Sequence, residues 1–475
     1  MKGGNRMNKY ATTYCNPTPL PDYPIGRFSL MNNYDYNWRE TADPTVLYEN
    51  GKWYLYSSCG MVYWSEDFCT WQHKKMKPYD CGYAPTVVNH KGKYYLCGSL
   101  SDVFVSEDPL GDFESIGAFT LPNGEKLTRC YDPMLFSDDD GRLYLYYSTG
   151  APVIYAVEVD AEDPTKLLGE PELVIEFDPA HEWERNGENN EDSKSCALEG
   201  PWMLKKNGVY YLIYCAPGTE YSTYGLGAYK GSSPMGPWEY MKTNPFTRKT
   251  DGIVRGPGHG CVSEGPDGNL WVFYTCTVCY LDAMERRMGY DPIYINDEGD
   301  LVCPVISENP RWAPGVVADP VKDGYTGLVC VTGRRRAYAT SCAPGRDALY
   351  ATDEDLMSWW QPAEDDAEPV LTIPLSYWGA NCCAVRIIWR DVGLSLHKGA
   401  LPGPIRYKLE LRDTEANGEN ADWITVVDRS DSMEDMIIDY KTFPVTRANE
   451  VRLKVLGAPQ GITPAVMNIS VFAER

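Results

Sequence analysis

The chain predicts an all-β protein, a five-bladed β-propeller followed by a β-sandwich. Three observations carry that reading. Amphipathic helical periodicity is nearly absent, while short aromatic and β-branched runs bounded by Gly, Pro, Asn and Asp recur throughout. One strand-turn-strand theme returns five times, and repeats of about 40 to 50 residues built from antiparallel strands indicate propeller blades. Past residue 315 the theme stops, and 475 residues allow two or three domains at roughly 100–200 residues each.

The five copies are ADPTVLYENGKWYLYSS from Ala42, YAPTVVNHKGKYYLCGS from Tyr83, YDPMLFSDDDGRLYLYYST from Tyr131, LEGPWMLKKNGVYYLIYCA from Leu198 and GPGHGCVSEGPDGNLWVFYT from Gly256. Each opens on Pro or Gly, runs through a short apolar strand, turns at Gly51, Gly92, Gly141, Gly208 or Gly268, and continues as an aromatic strand. Glycine suits such hairpin turns because positive φ costs it nothing. The aligned opening positions are Asp43, Ala84, Asp132, Glu199 and His259, spaced 41, 48, 67 and 60 residues apart. The long third interval holds an insertion, EFDPAHEWERNGENNEDSKSCA, residues 176–197, too polar for core. A loop of this length is often functional. It makes Trp183 and Arg185 candidates for substrate contact, with a solvated acidic loop as the plain alternative.

After RWAPG, residues 311–315, the stretches LTIPLSYWG, CCAVRIIWR, IRYKLELRD, DWITVVD and EVRLKVLG read as alternating strands of a β-sandwich. The expected division is a propeller over 14–318 and a sandwich over 325–475. The segment YCNPTPLPDYPIGRF, ahead of the first copy, is expected to close the ring or cover one face.

Composition excludes some partners. A net charge of −23 repels phosphate backbones and anionic membrane surfaces, so neither nucleic acid nor membrane is an expected partner. No run of about 18 apolar residues predicts a membrane span. The opening residues carry basic groups without an apolar core, so no export signal is read there and a cytoplasmic location is expected. Sixteen cysteines in so long a chain then read as mostly reduced, buried thiols. Cys276 and Cys279 form a C-x-x-C without the second pair that a tetrahedral zinc site needs. The 35 Tyr and 14 Trp, against 11 Phe, suit strand packing and carbohydrate faces alike.

A propeller brings the starts of its innermost strands to one axis, so Asp43, Asp132 and Glu199 are expected to meet there. Gathered acids repel one another and raise at least one pKa, which points to function. Paired carboxylates suit glycosidic bond cleavage, one protonated acid serving the leaving oxygen and one ionised base activating water. A sugar-binding propeller without catalysis is the competing class, but it has no need of three acids.

At these motifs (ADPTVLY, YDPMLF, LEGPWMLKKNGVYYLIY, GSSPMGPWEY and GPGHGCV) the sequence resembles glycoside hydrolase family 43, five-bladed propeller enzymes that cleave with inversion. The resemblance implies Asp43 as general base, Asp132 as the group that orients the acid and tunes its pKa, and Glu199 as general acid. It also implies that His259 lies near the axis, either at a hydrated calcium site or in a hydrogen-bond network under the sugar, with no cofactor required for the reaction. Arg286 or Arg287 in RRMGYDPI would reach the substrate or the acid. The implied activity is exo-acting removal of terminal sugars from plant-derived oligosaccharides, α-L-arabinofuranosyl first, with β-xylosidase and galactosidase or galactofuranosidase activities as alternatives. The stretch ATDEDLMSWWQPAEDD followed by VLTIPL resembles the discoidin-like (coagulation factor type C) jelly roll of many carbohydrate-binding modules, with Trp359 and Trp360 expected in its core.

Overall fold

In the computed structural model, residues 8–31, 35–418 and 420–475 are described; the first seven residues, part of the stretch read for an export signal, lie outside them. The chain divides into two compact units, Glu40–Ile306 and the combination of Met1–Arg39 with Ser307–Arg475.

The unit Glu40–Ile306 contains five four-stranded antiparallel sheets, each made of consecutive strands in chain order. Blade 1 is Thr45–Glu49, Lys52–Ser57, Met61–Ser65 and Gln72–Lys75. Blade 2 is Tyr83–His90, Lys93–Ser99, Val103–Ser106 and Glu114–Gly117. Blade 3 is Tyr131–Ser137, Leu143–Ser148, Val153–Val159 and Glu172–Glu176. Blade 4 is Glu199–Lys206, Val209–Ala216, Gly225–Gly231 and Trp238–Tyr240, and blade 5 is Gly258–Glu264, Leu270–Thr277, Arg286–Ile295 and Leu301–Val302. The first strand of each blade touches that of the next, and blade 5 touches blade 1, so the ring of five is closed. This is the propeller that the repeats predict.

The five turn glycines all take positive φ, from 72° to 83°, and in four turns the preceding Asn50, Lys91, Asn207 or Asp267 does too. Two successive left-handed residues match the twist of a tight hairpin, which splayed turn types would not. Aromatic and aliphatic residues of the second strands fill the seams between blades. Tyr56 and Val62 of blade 1 pack with Val87, Leu96 and Phe104 of blade 2, and Cys97 and Val103 pack with Leu135, Leu145 and Val157 of blade 3. Each such side chain contributes roughly 1.5–3 kcal/mol on burial, so most of the aromatic excess belongs to packing.

The second unit holds two antiparallel sheets. One runs Val329–Cys330, Thr463–Glu474, Ala380–Val392, Ile438–Ala448; the other runs Tyr338–Ala339, Val370–Pro374, Glu450–Gly457, Arg406–Arg412, Ile424–Asp428. Trp359 and Trp360 are 4% and 0% exposed, the expected core pair. The boundaries differ from those the sequence predicts. Thr13–Tyr14 pairs with Arg311–Trp312, and residues before 40 belong to this unit rather than to the propeller. Buried arginines account for the join. Arg386 donates to the carbonyl of Glu308 at 2.8 Å and to that of Asn16, and Arg39 bridges Asp391 and Asp435 at 2.8 Å each. A buried guanidinium must find such partners or cost several kcal/mol. The propeller unit accordingly spans 40–306 instead of 14–318, with blade 5 closing on blade 1. No helix among the described residues is long and apolar enough to cross a membrane.

Candidate active site

At the entry to the first strand of blades 1 to 4 a residue is held in left-handed conformation: Asp43 at φ 53°, Ala84 at 48°, Asp132 at 48° and Gly200 at 62°. For residues other than glycine this costs of order 1–3 kcal/mol, a strain that collects at functional sites. Hydroxyls from the ends of the second strands hold the strained peptides. The Asp43 N–H donates to Thr275 Oγ1 at 2.9 Å, the Ala84 N–H to Ser58 Oγ at 3.0 Å, and the Asp132 N–H to Ser99 Oγ at 2.9 Å. In blade 4 the Gly200 N–H donates instead to Asp132 Oδ2 at 3.2 Å.

That register corrects the alignment of the fourth copy. Glu199 pairs across its hairpin with Cys215, as Tyr83 pairs with Ser99 and Tyr131 with Ser148, so Gly200 is the equivalent of Asp43 and Asp132. Glu199 stands one residue earlier. Glycine is required at 200 for space as well as for φ: a Cβ there would lie 2.8 Å from His259 Cδ2 and 3.0 Å from Cys215 Sγ.

Asp43, Asp132, Glu199, His259 and Arg286 line one axial pocket of about 160 Å³. Within it the carboxylates have unlike surroundings. Arg286 forks onto Asp43, Nη1 to Oδ1 at 2.9 Å and Nη2 to Oδ2 at 2.8 Å, while Ser58 donates to Oδ2 at 2.7 Å and His259 Nδ1 lies 3.4 Å from Oδ1. Burial pushes the Asp43 carboxyl up, but Arg286, His259 and these hydrogen bonds outweigh it and leave it below its ordinary value. Arg286 is held in turn by Glu40, whose Oε1 accepts from Nε at 2.9 Å and Nη2 at 2.8 Å, and by Tyr83.

Glu199 has no guanidinium partner. Burial first and the neighbouring Asp132 second push it up to about 7, against His259 and then Tyr224, which donates to its Oε1 at 2.8 Å. Asp132 is itself raised, by burial and then by Asp43, against His259, the Ser99 hydroxyl and the Gly200 N–H.

Of the two arginines left open by the sequence, Arg286 is the one in the pocket. Arg287, next along the strand, points to the opposite face, where Nη1 donates to the Arg286 carbonyl at 2.9 Å and Nη2 lies 3.9 Å from Glu285. Trp183 and Arg185 do not line this pocket, contrary to their expected role in binding substrate. Trp183 is 5% exposed, donates to Tyr240 Oη at 2.8 Å and packs onto Gly227, where a Cβ would come within 2.4 Å of its ring. Arg185 donates to the Pro179 carbonyl at 2.9 and 2.7 Å. The insertion is therefore neither a free loop nor a substrate wall at these residues. Its buried Glu184 accepts from Tyr214 at 2.6 Å and meets His181 Nδ1 at 2.9 Å, which fastens it to blade 4.

Sequence reasoning missed Glu40, Tyr83, Tyr224 and the supporting hydroxyls. A signal for the last was present: Ser58, Ser99, Ser148 and Thr275, with the thiol of Cys215 in the fourth copy, stand at or near the ends of the second strands. For a metal, Glu199, Cys215 and His259 present a carboxylate, a thiol and an imidazole within 4.8 Å of one another. Calcium takes six to eight oxygen ligands. This donor set does not fit it, and burial followed by Glu199 pushes the Cys215 thiol well up, against a thiolate ligand. His259 Nδ1 stands 3.4 Å from Asp43 Oδ1, and the His259 carbonyl accepts from Thr275 Oγ1 at 3.0 Å.

Residues 39–301 match the model of the glycosyl hydrolases family 43, more than half of the chain. The chain belongs to this family. Among curated relatives, a β-D-galactofuranosidase of Aspergillus niger is 28% identical over 198 residues, 41% of this chain and 52% of the relative. A xylan 1,3-β-xylosidase of a Vibrio species is 29% identical over 157 residues, 31% of this chain and 26% of the relative. The chain thus spans about half or less of the length of these relatives. The crystal structure of a thermostable family-43 glycoside hydrolase is 26% identical, with a TM-score of 0.51 over 64% of this chain and 100% of that one.

Proposed function

We propose that the protein is an exo-acting, inverting glycoside hydrolase that removes a terminal sugar from plant-derived oligosaccharides. The observation that carries this is the opposed shift of two carboxyls in one pocket, Asp43 lowered and Glu199 raised to about 7. Carboxyls pushed apart in this way take the base and acid roles respectively. Asp43, ionised, accepts a proton from water as the water oxygen bonds to the anomeric carbon. Glu199, protonated, gives its proton to the glycosidic oxygen as the bond from that oxygen to the anomeric carbon breaks. Asp132, beside Glu199, keeps the acid protonated, and Arg286 holds Asp43 in place without competing for the proton. No step needs a metal.

A pocket of about 160 Å³ is well below the roughly 300–1,000 Å³ of sites for larger ligands, which favours one sugar unit at a chain end. An α-L-arabinofuranosyl unit is the first choice. Relatives named for galactofuranose and xylose release make those sugars the alternatives. The two-sheet unit is proposed as a discoidin-like module, on the strength of its buried Trp359–Trp360 pair and its four- and five-stranded sheets. None of the sixteen cysteines is joined in a disulfide among the described residues, which fits work in a reducing compartment such as the cytoplasm. A panel of nitrophenyl furanosides and pyranosides tests the reading. Turnover of at least one pentoside or furanoside is expected; binding with no turnover on any would point to a lectin instead.

A further inference from the structure

Tyr377 and Trp378, in the turn between Val370–Pro374 and Ala380–Val392, are each 73% exposed, whereas Trp359 and Trp360 of the same unit are buried. Their ring centroids lie 5.1 Å apart with planes at 83°, so one ring offers a flat face beside the edge of the other. The turn that carries them is fastened on several sides. The Gly379 N–H donates to the Ser376 carbonyl at 2.8 Å, and Leu375 N–H donates to the Asn449 carbonyl at 2.8 Å. Arg447 donates to the Trp378 carbonyl at 2.8 Å and is itself held by Asp413 at 3.1 Å and by Glu415. Gly379, at φ 71°, takes the left-handed turn residue that a side chain would strain.

We propose that Tyr377 and Trp378 form a binding platform for a neutral plant-derived glycan, the same one whose terminal sugars the propeller pocket removes. This rests on the function proposed above. Two adjacent aromatic rings, each 73% exposed on a turn fastened from several sides, form a fixed apolar patch of the kind that marks a binding surface. The apolar C–H face of a sugar ring stacks on such rings, and the half-exposed Arg447 and Glu415 beside them can exchange hydrogen bonds with hydroxyls. Other occupants fit less well. A net charge of −23 disfavours polyanions and anionic membranes. Two rings on one turn fall far short of the roughly 1,200 Å² buried by a stable dimer.

The test uses the full chain and the double variant Tyr377→Ala/Trp378→Ala, run by affinity electrophoresis through arabinoxylan, debranched arabinan and galactan. The wild type should be retarded by at least one polymer, and the variant at least tenfold less. Nitrophenyl glycoside turnover should be equal for both, while release from the same polymer at limiting concentration falls several-fold in the variant. Equal retardation of both proteins, or none of either, overturns the platform. So does retention on phosphatidylcholine or phosphatidylserine vesicles but on no polysaccharide, or a wild-type dimer in sedimentation that the variant lacks. If neither protein turns over any nitrophenyl glycoside yet only the wild type binds polymer, the hydrolase reading fails and the platform stands.

Discussion

The two sides of the axial pocket contain similar residues and differ in what faces them. On the blade 1 and blade 5 side, Asp43 shares one guanidinium with Glu40 and receives the Ser58 hydroxyl, so its charge is matched. On the blade 3 and blade 4 side, Asp132 and Glu199 face each other with a tyrosine hydroxyl, a serine hydroxyl and a backbone N–H, but no guanidinium among their hydrogen-bond donors. Equal burial therefore has opposite results. Where a cation is bidentate the carboxyl stays ionised; where a second carboxyl is the neighbour, one of the two keeps its proton.

The contrast is broken most severely at its two poles. Asp43→Asn should lower kcat/KM by about 10²–10⁴-fold whatever the leaving group. Glu199→Ala should lose a similar factor on alkyl glycosides but far less on dinitrophenyl glycosides, whose leaving group needs no proton; parallel assays on the two substrate types read the difference. Arg286→Ala removes the cation and leaves Glu40 and Asp43 buried and unmatched. By analogy with broken buried ion pairs it should cost about 3–5 kcal/mol, measured by denaturant unfolding near neutral pH.

Stability against pH separates the two sides in sign. Folded Glu199 holds its proton to about 7, whereas the unfolded chain releases it near 4.5. Its contribution therefore falls as pH climbs through that window. Glu199→Gln should raise stability by about 1–3 kcal/mol at pH 8 and change little at pH 4, as judged by unfolding at both. Asp43 is lowered, so its contribution is present above its ordinary value and is lost only as pH falls below it. The smallest expected effect is that of Tyr224→Phe. Without the hydroxyl that favours the ionised form, the alkaline limb of the pH–rate profile should move up by about one unit.

Much of this was legible in the sequence. Five repeats announced five blades, because each hairpin carries its own strand pattern and turn glycine. The convergence of Asp43, Asp132, Glu199 and His259 followed from where propeller strands begin. The one-residue offset of Glu199 escaped, since aligning acids with acids hides a Gly-Pro equivalent to Asp-Pro; the left-handed φ of Gly200 reveals it. Glu40 precedes the first repeat and had no partner in register. Trp183 sits in a polar insertion whose composition disguised a buried core of Trp183 and Glu184. Residues before 40 went to the wrong unit because their binding to the second one depends on arginine contacts to carbonyls and carboxylates that no periodicity records.

The central claim is that Glu199 is the protonated acid and Asp43 the ionised base. The pH dependence of kcat/KM, compared between the wild type and Glu199→Ala, tests it most directly. On a substrate with a poor leaving group the wild type should lose activity with an alkaline midpoint near 7. In Glu199→Ala, followed on a dinitrophenyl glycoside, that limb should be gone while activity persists well into the acid range set by Asp43. A limb near 7 that survives the removal of Glu199 would contradict the assignment.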